Sequence, residues 1–155
     1  MADRYAQNPF QAMDVYIPDE YHADMQRYSQ RESGANIDGS PFGRMVDMWF
    51  LAICAAARAG MKPVDTTGRK SVKIIDGAIF ASDPWRIQML MLIAIHYADG
   101  IEVVGDPRQM MNTANGLAVA GFPKVLDMLR EGGGDAIWNL SESLEEMVKG
   151  KGLAA

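Results

Sequence analysis

Asp83-Pro84-Trp85-Arg86-Ile87-Gln88-Met89-Leu90-Met91-Leu92-Ile93-Ala94-Ile95-His96-Tyr97-Ala98-Asp99-Gly100 is the stretch that decides the fold. An aspartate can accept orphan backbone N–H groups at a helix start, and a proline directly after it loses nothing, because the first helical residue has no intrahelical N–H bond to give. The run that follows holds no breaker until Asp99-Gly100, a natural left-handed stop. A helix over Pro84–Ala98 is therefore predicted. The same start signal recurs at Ser40-Pro41 and Asp106-Pro107. The first predicts a helix from Pro41 to about Ala59, stopping at Gly60. The second predicts a helix from Pro107 that breaks near Ala120-Gly121, because Gly116, Gly121 and Pro123 all weaken a helix interior. A further helix then runs from Phe122 or Pro123 to Arg130 and ends at Gly132-Gly133-Gly134. A last helix, capped by Ser141 or Ser143, reaches Val148, and the tail Lys151–Ala155 is expected to fray.

The rest of the chain fills in around these helices. Ser71-Val72-Lys73-Ile74-Ile75 alternates polar and apolar, as a half-buried strand does, and Ile101-Glu102-Val103-Val104 lies between two turns. The two could pair as a small ribbon or serve as straight connectors. Residues 1–39 mix tyrosines, charges and breakers, and read as a semi-ordered N-terminal arm. Within it Pro18-Asp19-Glu20 opens a short helix through Tyr28 or Gln30, and Ser33-Gly34-Ala35-Asn36 is loop. The expected fold is mainly α: a compact helical bundle of four to six helices over residues 40–150, with at most a small two-stranded ribbon.

Composition agrees with a packed core, at 48% hydrophobic and 23% charged residues. The single Cys54 sits in an apolar run, which leaves neither a disulfide framework nor a thiolate zinc site and points to a reducing compartment. The opening MADRYAQNPF lacks the basic-then-apolar order of a secretory signal, so a cytoplasmic location is expected. The longest apolar runs, Met45–Ala57 and Ile87–Ile95, are shorter than the roughly 18–20 residues a membrane crossing requires. No membrane partner is expected.

No catalytic constellation emerges from the side chains. His22 and His96 have no His or Cys three or four residues away, as a zinc site would require, and His96 beside Asp99 reads as a residue tolerated at a helix C-terminus. Cys54, flanked by alanines and isoleucine, lacks the electropositive setting that yields a reactive thiolate. The pairs Asp19-Glu20 and Glu145-Glu146 are adjacent, so on a helix they do not face one site. Gly132-Gly133-Gly134 lacks a following Lys-Ser/Thr pair, and Gly116 and Gly121 follow helix instead of strand. Both phosphate-binding patterns fail, and close helix packing explains the latter glycines. The expectation is no enzyme, no metal and no cofactor.

Two features point to partners. Arg58, Lys62, Arg69, Lys70 and Lys73 set five cations against Asp65 alone, a cluster that could touch nucleic-acid phosphates or an acidic protein face. No aromatic residue interleaves them to stack on bases, and the net charge of −5 opposes general attraction to nucleic acid. The second feature is two helices that are apolar nearly all round, together with 12 methionines, whose flexible thioethers suit adaptable surfaces. Met48, Trp49, Trp85, Met89 and Met91 are the expected interface; a protein partner or a further copy of the chain in a homo-oligomer, the N-terminal arm, or both are expected to cover part of the two helices.

The segments Ser40-Pro41-Phe42, Met48-Trp49-Phe50-Leu51-Ala52, Ala59-Gly60-Met61-Lys62, Ile79-Phe80, Ile93-Ala94 and Ala114-Asn115-Gly116-Leu117 together make a pattern: a Pro-Phe opening, a long apolar helix ending in Ala-x-Gly, a connector closing on Phe, and an Ala-Asn-Gly segment. The pattern resembles small accessory proteins associated with DNA phosphorothioation and related anti-phage defence loci, and covers about residues 40–129. The resemblance implies an accessory role in a defence complex and supplies no catalytic residues. Together with the residue reading, it makes the expected function that of a non-catalytic adaptor docking on a larger complex. The alternative is a small nucleic-acid-binding module acting through the basic loop 58–73.

Overall fold

Residues Pro107–Arg130 form one uninterrupted helix of 24 residues, and the rest of the molecule is arranged around it. The computed structural model describes residues 8–34 and 36–150. In chain order the elements are β1 (Asp14–Pro18), α1 (Asp19–Tyr28), α2 (Gln30–Ser33), α3 (Met45–Arg58), β2 (Ser71–Asp76), α4 (Pro84–Ala98), α5 (Pro107–Arg130) and α6 (Ala136–Lys149). Two 3-10 segments, Gly77–Ser82 and Ile101–Gly105, lead into α4 and α5. The fold is mainly α with one two-stranded sheet, as expected.

The expected break near Gly121 does not occur. Pro123 lacks an N–H, and its ring occupies an exposed position on α5, clear of the packed core. Leu117, Phe122, Val125 and Leu129 on either side are buried in the core, and that burial outweighs roughly 3 kcal/mol of proline cost. Gly121 is where α3 and α5 touch: a Cβ built on it would lie 1.9 Å from the carbonyl oxygen of Ala52. Beside the crossing, Trp49 is fully buried and its indole N–H donates to Asn115 Oδ1 at 3.2 Å. The Asp106 carboxylate accepts the Gln109 N–H at 3.0 Å and caps α5 as the sequence predicts.

Two helix starts move. α3 begins at Met45 instead of Pro41, because Ser40–Phe42 is occupied otherwise. The Ser40 hydroxyl donates to the Arg27 carbonyl at 2.7 Å, and Phe42 exchanges backbone hydrogen bonds with Tyr28 and Gln30. Asp47 then accepts the Arg44 N–H at 2.9 Å and secures the first turn. α6 begins at Ala136, ahead of Ser141 and Ser143, since the Ile137 N–H finds the Asp38 carbonyl at 3.0 Å and needs no serine cap. α4 covers Pro84–Ala98 as predicted, ending on Asp99 in the left-handed region at φ 53°.

The ribbon has a different partner from the one expected. β2 pairs antiparallel with β1, from Asp14 opposite Asp76 to Pro18 opposite Ser71, with a bulge between Val15 and Tyr16. Ile101–Gly105 is a 3-10 turn that buries Val103, a compact way to join two helices through so short a link. The pairing also revises the expected arm. Phe10, Val15, Ile17, Met25 and Tyr28 belong to the same core as α3, α4 and α5, and Tyr21 stacks on Phe122 at 4.9 Å. Alternate β1 residues and one face of α1 are apolar, and they find cover there. The expected helix in this segment matches α1. Residues 1–7 of the arm, Ala35 of the expected loop and the tail expected to fray lie outside the described residues. Among the described residues no helix is long and apolar enough to cross a membrane.

Candidate interaction surface

At 3.6 residues per turn, α4 turns Arg86, Ile87, Leu90 and Ala94 into the core and leaves Trp85, Gln88, Met89, Leu92 and His96 on the outer face. Trp85, Met89 and Leu92 stand at i, i+4 and i+7 and are 51%, 39% and 60% exposed. They form one apolar stripe, and the other exposed residue of the helix between them is the uncharged Gln88. Isolated exposed apolar residues are ordinary on a protein surface, whereas a contiguous stripe of large ones marks a contact face.

The stripe starts on a braced residue. Trp85 packs edge-on to Phe50 at 5.2 Å between centroids, and the Arg86 guanidinium lies 4.7 Å from the Trp85 ring and 5.2 Å from that of Phe50. Arg86 is only 7% exposed, at the positive end of a helix, an unfavourable place for a cation unless anions answer it. Asp47 of α3 takes a short hydrogen bond from its Nη2, and Asp83 lies 3.5 Å from its Nε, an ion pair too long to be a hydrogen bond. Arg44 closes the cluster, reaching Asp83 at 3.2 Å and Asp47 at 3.6 Å. Two arginines and two aspartates thus alternate, tying the start of α3 to the start of α4. Asp83, expected as an N-cap, makes no side-chain capping bond and spends its carboxylate on this cluster.

The expected interface is therefore redistributed. Met48 and Trp49 are fully buried in the core, because the side of α3 that carries them faces α5 and the 3-10 segment before α4, and they offer no surface to a partner. Trp85 and Met89 lie on the outer face. Met91 is half-buried at its edge. Leu92 is not among the expected interface residues, yet it is the most exposed large apolar residue of α4. Its signal was available in Gln88 and His96, the only polar residues inside the run after Arg86, which stand four residues before and after it.

The five cations of residues 58–73 do not assemble into one basic face. Arg58 donates to the Met147 carbonyl at 2.6 Å, which ties it to α6. Arg69 pairs with Glu20, Lys70 with Asp19 at 3.1 Å, and Lys73 with both Asp14 and Asp76. β1 and the start of α1 bring three of those four carboxylates alongside, so three cations meet four anions, a balance invisible in the loop sequence alone. Among the described residues Lys62 alone of the five has no such partner. Lys73 is held above its ordinary value by the carboxylates of Asp76 and Asp14, and Asp76 below its own by Lys73.

Of the groups considered for chemistry, Cys54 is half-buried, and burial pushes its thiol up, with Arg86 a weaker opposing influence, so the protonated form prevails at neutral pH. His96 is exposed and contacts the Tyr97 ring edge-on at 5.1 Å. The Tyr97 hydroxyl donates to the Met61 carbonyl at 2.7 Å, a structural tie that fixes the connector after α3. Among the described residues no three His, Cys, Asp or Glu side chains group as a metal site. No known protein family, no curated protein and no solved structure matches the chain.

Proposed function

We propose that this chain is a non-catalytic accessory subunit that docks on a protein partner through the outer face of α4. One observation carries the reading: Trp85, Met89 and Leu92 form an exposed apolar stripe whose leading tryptophan is braced in advance by Arg86 and Phe50. Tryptophan and arginine are the residue types that dominate binding energy at protein interfaces, and a side chain already fixed loses less entropy on docking. The methionine beside them adapts to the contour of a partner. The salt-bridged strand region Arg69–Lys73 offers a phosphate backbone little net charge, which favours the protein-docking reading over nucleic-acid binding. A part in a phosphorothioation-linked or related anti-phage defence complex belongs to the proposal as what the resemblance of residues 40–129 implies, and cytoplasmic placement belongs to it on the ground of the lone Cys54.

The test is comparative capture from extract of the native host, using the wild-type chain, Leu92→Glu and Lys70→Glu/Lys73→Glu. Wild type and the lysine variant are expected to retain the same partner, while Leu92→Glu releases it with its circular dichroism spectrum unchanged. Loss of partner only in the lysine variant would refute docking through α4.

A further inference from the structure

The outer face of α4 begins with a side chain that its own helix does not hold, and we infer that Asp47 of α3 is the positioning residue of that face: it fixes the Arg86 guanidinium, which in turn keeps the Trp85 ring in its outward pose. The inference rests on the docking reading above and names what sets the anchor in place. A helical side chain lies back over the turn that precedes it. Trp85 is the second residue of α4, so no preceding turn exists for its ring to lie on. Its support must come from elsewhere. The ring is 51% exposed, with Phe50 of α3 at 5.2 Å and 83° between ring planes, and with the Arg86 guanidinium 4.7 Å from its centroid. A cation over an aromatic ring attracts it, so the guanidinium that is itself fixed fixes the ring.

Two aspartates stand beside Arg86, and their geometry separates them. Asp83 is the near neighbour in sequence, yet its Oδ2 lies 3.5 Å from Nε, which makes no hydrogen bond among the described residues. The same oxygen accepts the Arg44 Nη2 at 3.2 Å. Asp47, 39 residues away, accepts a short hydrogen bond from the Arg86 Nη2. Hydrogen bonds to charged groups are directional as well as strong, so this bond orients the guanidinium plane where the longer ion pair adds charge alone. Asp47 is anchored in its turn. Its second oxygen accepts the Arg44 N–H at 2.9 Å in the first turn of α3, and α3 makes the most extensive helix contact in the molecule, with α5. Asp83 sits instead in the irregular joint between a 3-10 segment and α4. Support therefore runs from the packing of α3 on α5 through Asp47 and Arg86 to Trp85.

Fluorine NMR of the full chain labelled with fluorotryptophan reads this directly. Trp49, Trp85 and Trp138 give one signal each, and Trp85→Phe identifies that of Trp85. Asp47→Ala and Asp83→Ala each remove one negative charge from the same cluster, so an effect of charge alone moves both equally. The Trp85 signal is expected to shift toward the position of the free amino acid in Asp47→Ala only, while Trp138 on α6 stays in place and the buried Trp49 keeps its folded-state displacement. Asp47→Glu, which keeps the charge and both acceptor oxygens, returns the Trp85 signal toward that of wild type. In the capture experiment above, Asp47→Ala is expected to retain about 3–10-fold less partner than wild type, because one more side chain must be immobilised on docking. A Trp85 signal unmoved in Asp47→Ala overturns the inference, as does an equal shift in Asp83→Ala, or partner retention at wild-type level in Asp47→Ala while Leu92→Glu releases it. Should Asp47→Ala lose its fold, Asp47→Asn against Asp83→Asn decides by the same signal. An asparagine at 47 has one acceptor oxygen for two donors, whereas one at 83 keeps the single oxygen that its bond to Arg44 requires, and equal shifts again overturn the inference. If Leu92→Glu retains the partner, docking through α4 fails and the fluorine signal alone judges Asp47, so the two failures are distinguishable.

Discussion

Substitution of Gly121 by alanine reverses a familiar sign. At an ordinary helix interior, glycine to alanine stabilises by about 1 kcal/mol, because glycine loses more backbone freedom on folding. At Gly121 the new Cβ would lie 1.9 Å from the Ala52 carbonyl oxygen and 2.7 Å from its carbonyl carbon. Both are backbone atoms of α3 and cannot rotate away, so the two helices must separate along the most extensive helix contact in the molecule. Overpacking of this kind costs typically 1–3 kcal/mol, and a clash between backbones belongs near the top of that range, about 3 kcal/mol. Subtracting the propensity gain leaves a net loss of about 2 kcal/mol, or about 4–8 °C in Tm for a chain of this size. Thermal melts and urea titrations of the two proteins measure it. Because the clash is with backbone, Ala52→Gly in the same chain is expected to give no rescue. A Gly121→Ala protein that melts higher than wild type would refute the placement of α5 on α3.

The other predictions concern caps, charges and the thiol. Asp106→Ala removes a hydrogen bond to the Gln109 N–H and is expected to cost about 0.5–2 kcal/mol with little dependence on salt, whereas Asp83→Ala acts through Arg44 and Arg86 and its cost shrinks as salt rises. Urea titrations of both variants at low and high salt separate the two mechanisms. Arg86→Ala leaves Asp47 and Asp83 facing each other without their buried cation and frees Trp85. A loss of about 2–3 kcal/mol is expected, less than for a fully buried pair because both aspartates are partly exposed, together with a shift in tryptophan emission. Asp65 and Asp76 are both held below the usual 3.8, by the Thr67 N–H and by Lys73 respectively. Their contribution is present above that value and fades as pH falls below it, which melts between pH 5 and 2 would show as a steepening loss. Cys54, its thiol pushed up by burial, is expected to resist alkylation at pH 7 in the folded chain and to react promptly in denaturant.

Sequence and structure agree where the signal is local. The proline-marked starts of α4 and α5 and the glycine after α3 are decided by backbone chemistry within a few residues, and those boundaries were legible. Ser40-Pro41 carries the same local signal and fails, because Ser40 is claimed by Arg27, distant in sequence, and Phe42 by the backbone beside α2. Pro123 shows the converse: a local breaker overridden by core residues on both sides of it. β2 was recognisable as a strand, yet its partner was not, since β1 announces itself only through Val15 and Ile17 amid polar neighbours. The basic cluster misled for a related reason, as Asp14, Asp19 and Glu20 reach it only through that pairing. For the candidate surface, a helix apolar on every side gives the wheel little contrast. Sequence pattern alone therefore groups Met48 and Trp49 with Trp85 and Met89, and only the position of α3 against α5 separates them.

The central claim is that the outer face of α4 is the contact face, and hydroxyl-radical footprinting of the free chain against its complex with the captured partner tests it most directly. Trp85, Met89 and Leu92 are 51%, 39% and 60% exposed in the single chain, so each is open to oxidation when the protein is free. The account predicts that all three become protected on assembly while labelling of residues 69–73 stays unchanged. Protection of residues 69–73 with α4 still fully labelled would contradict it.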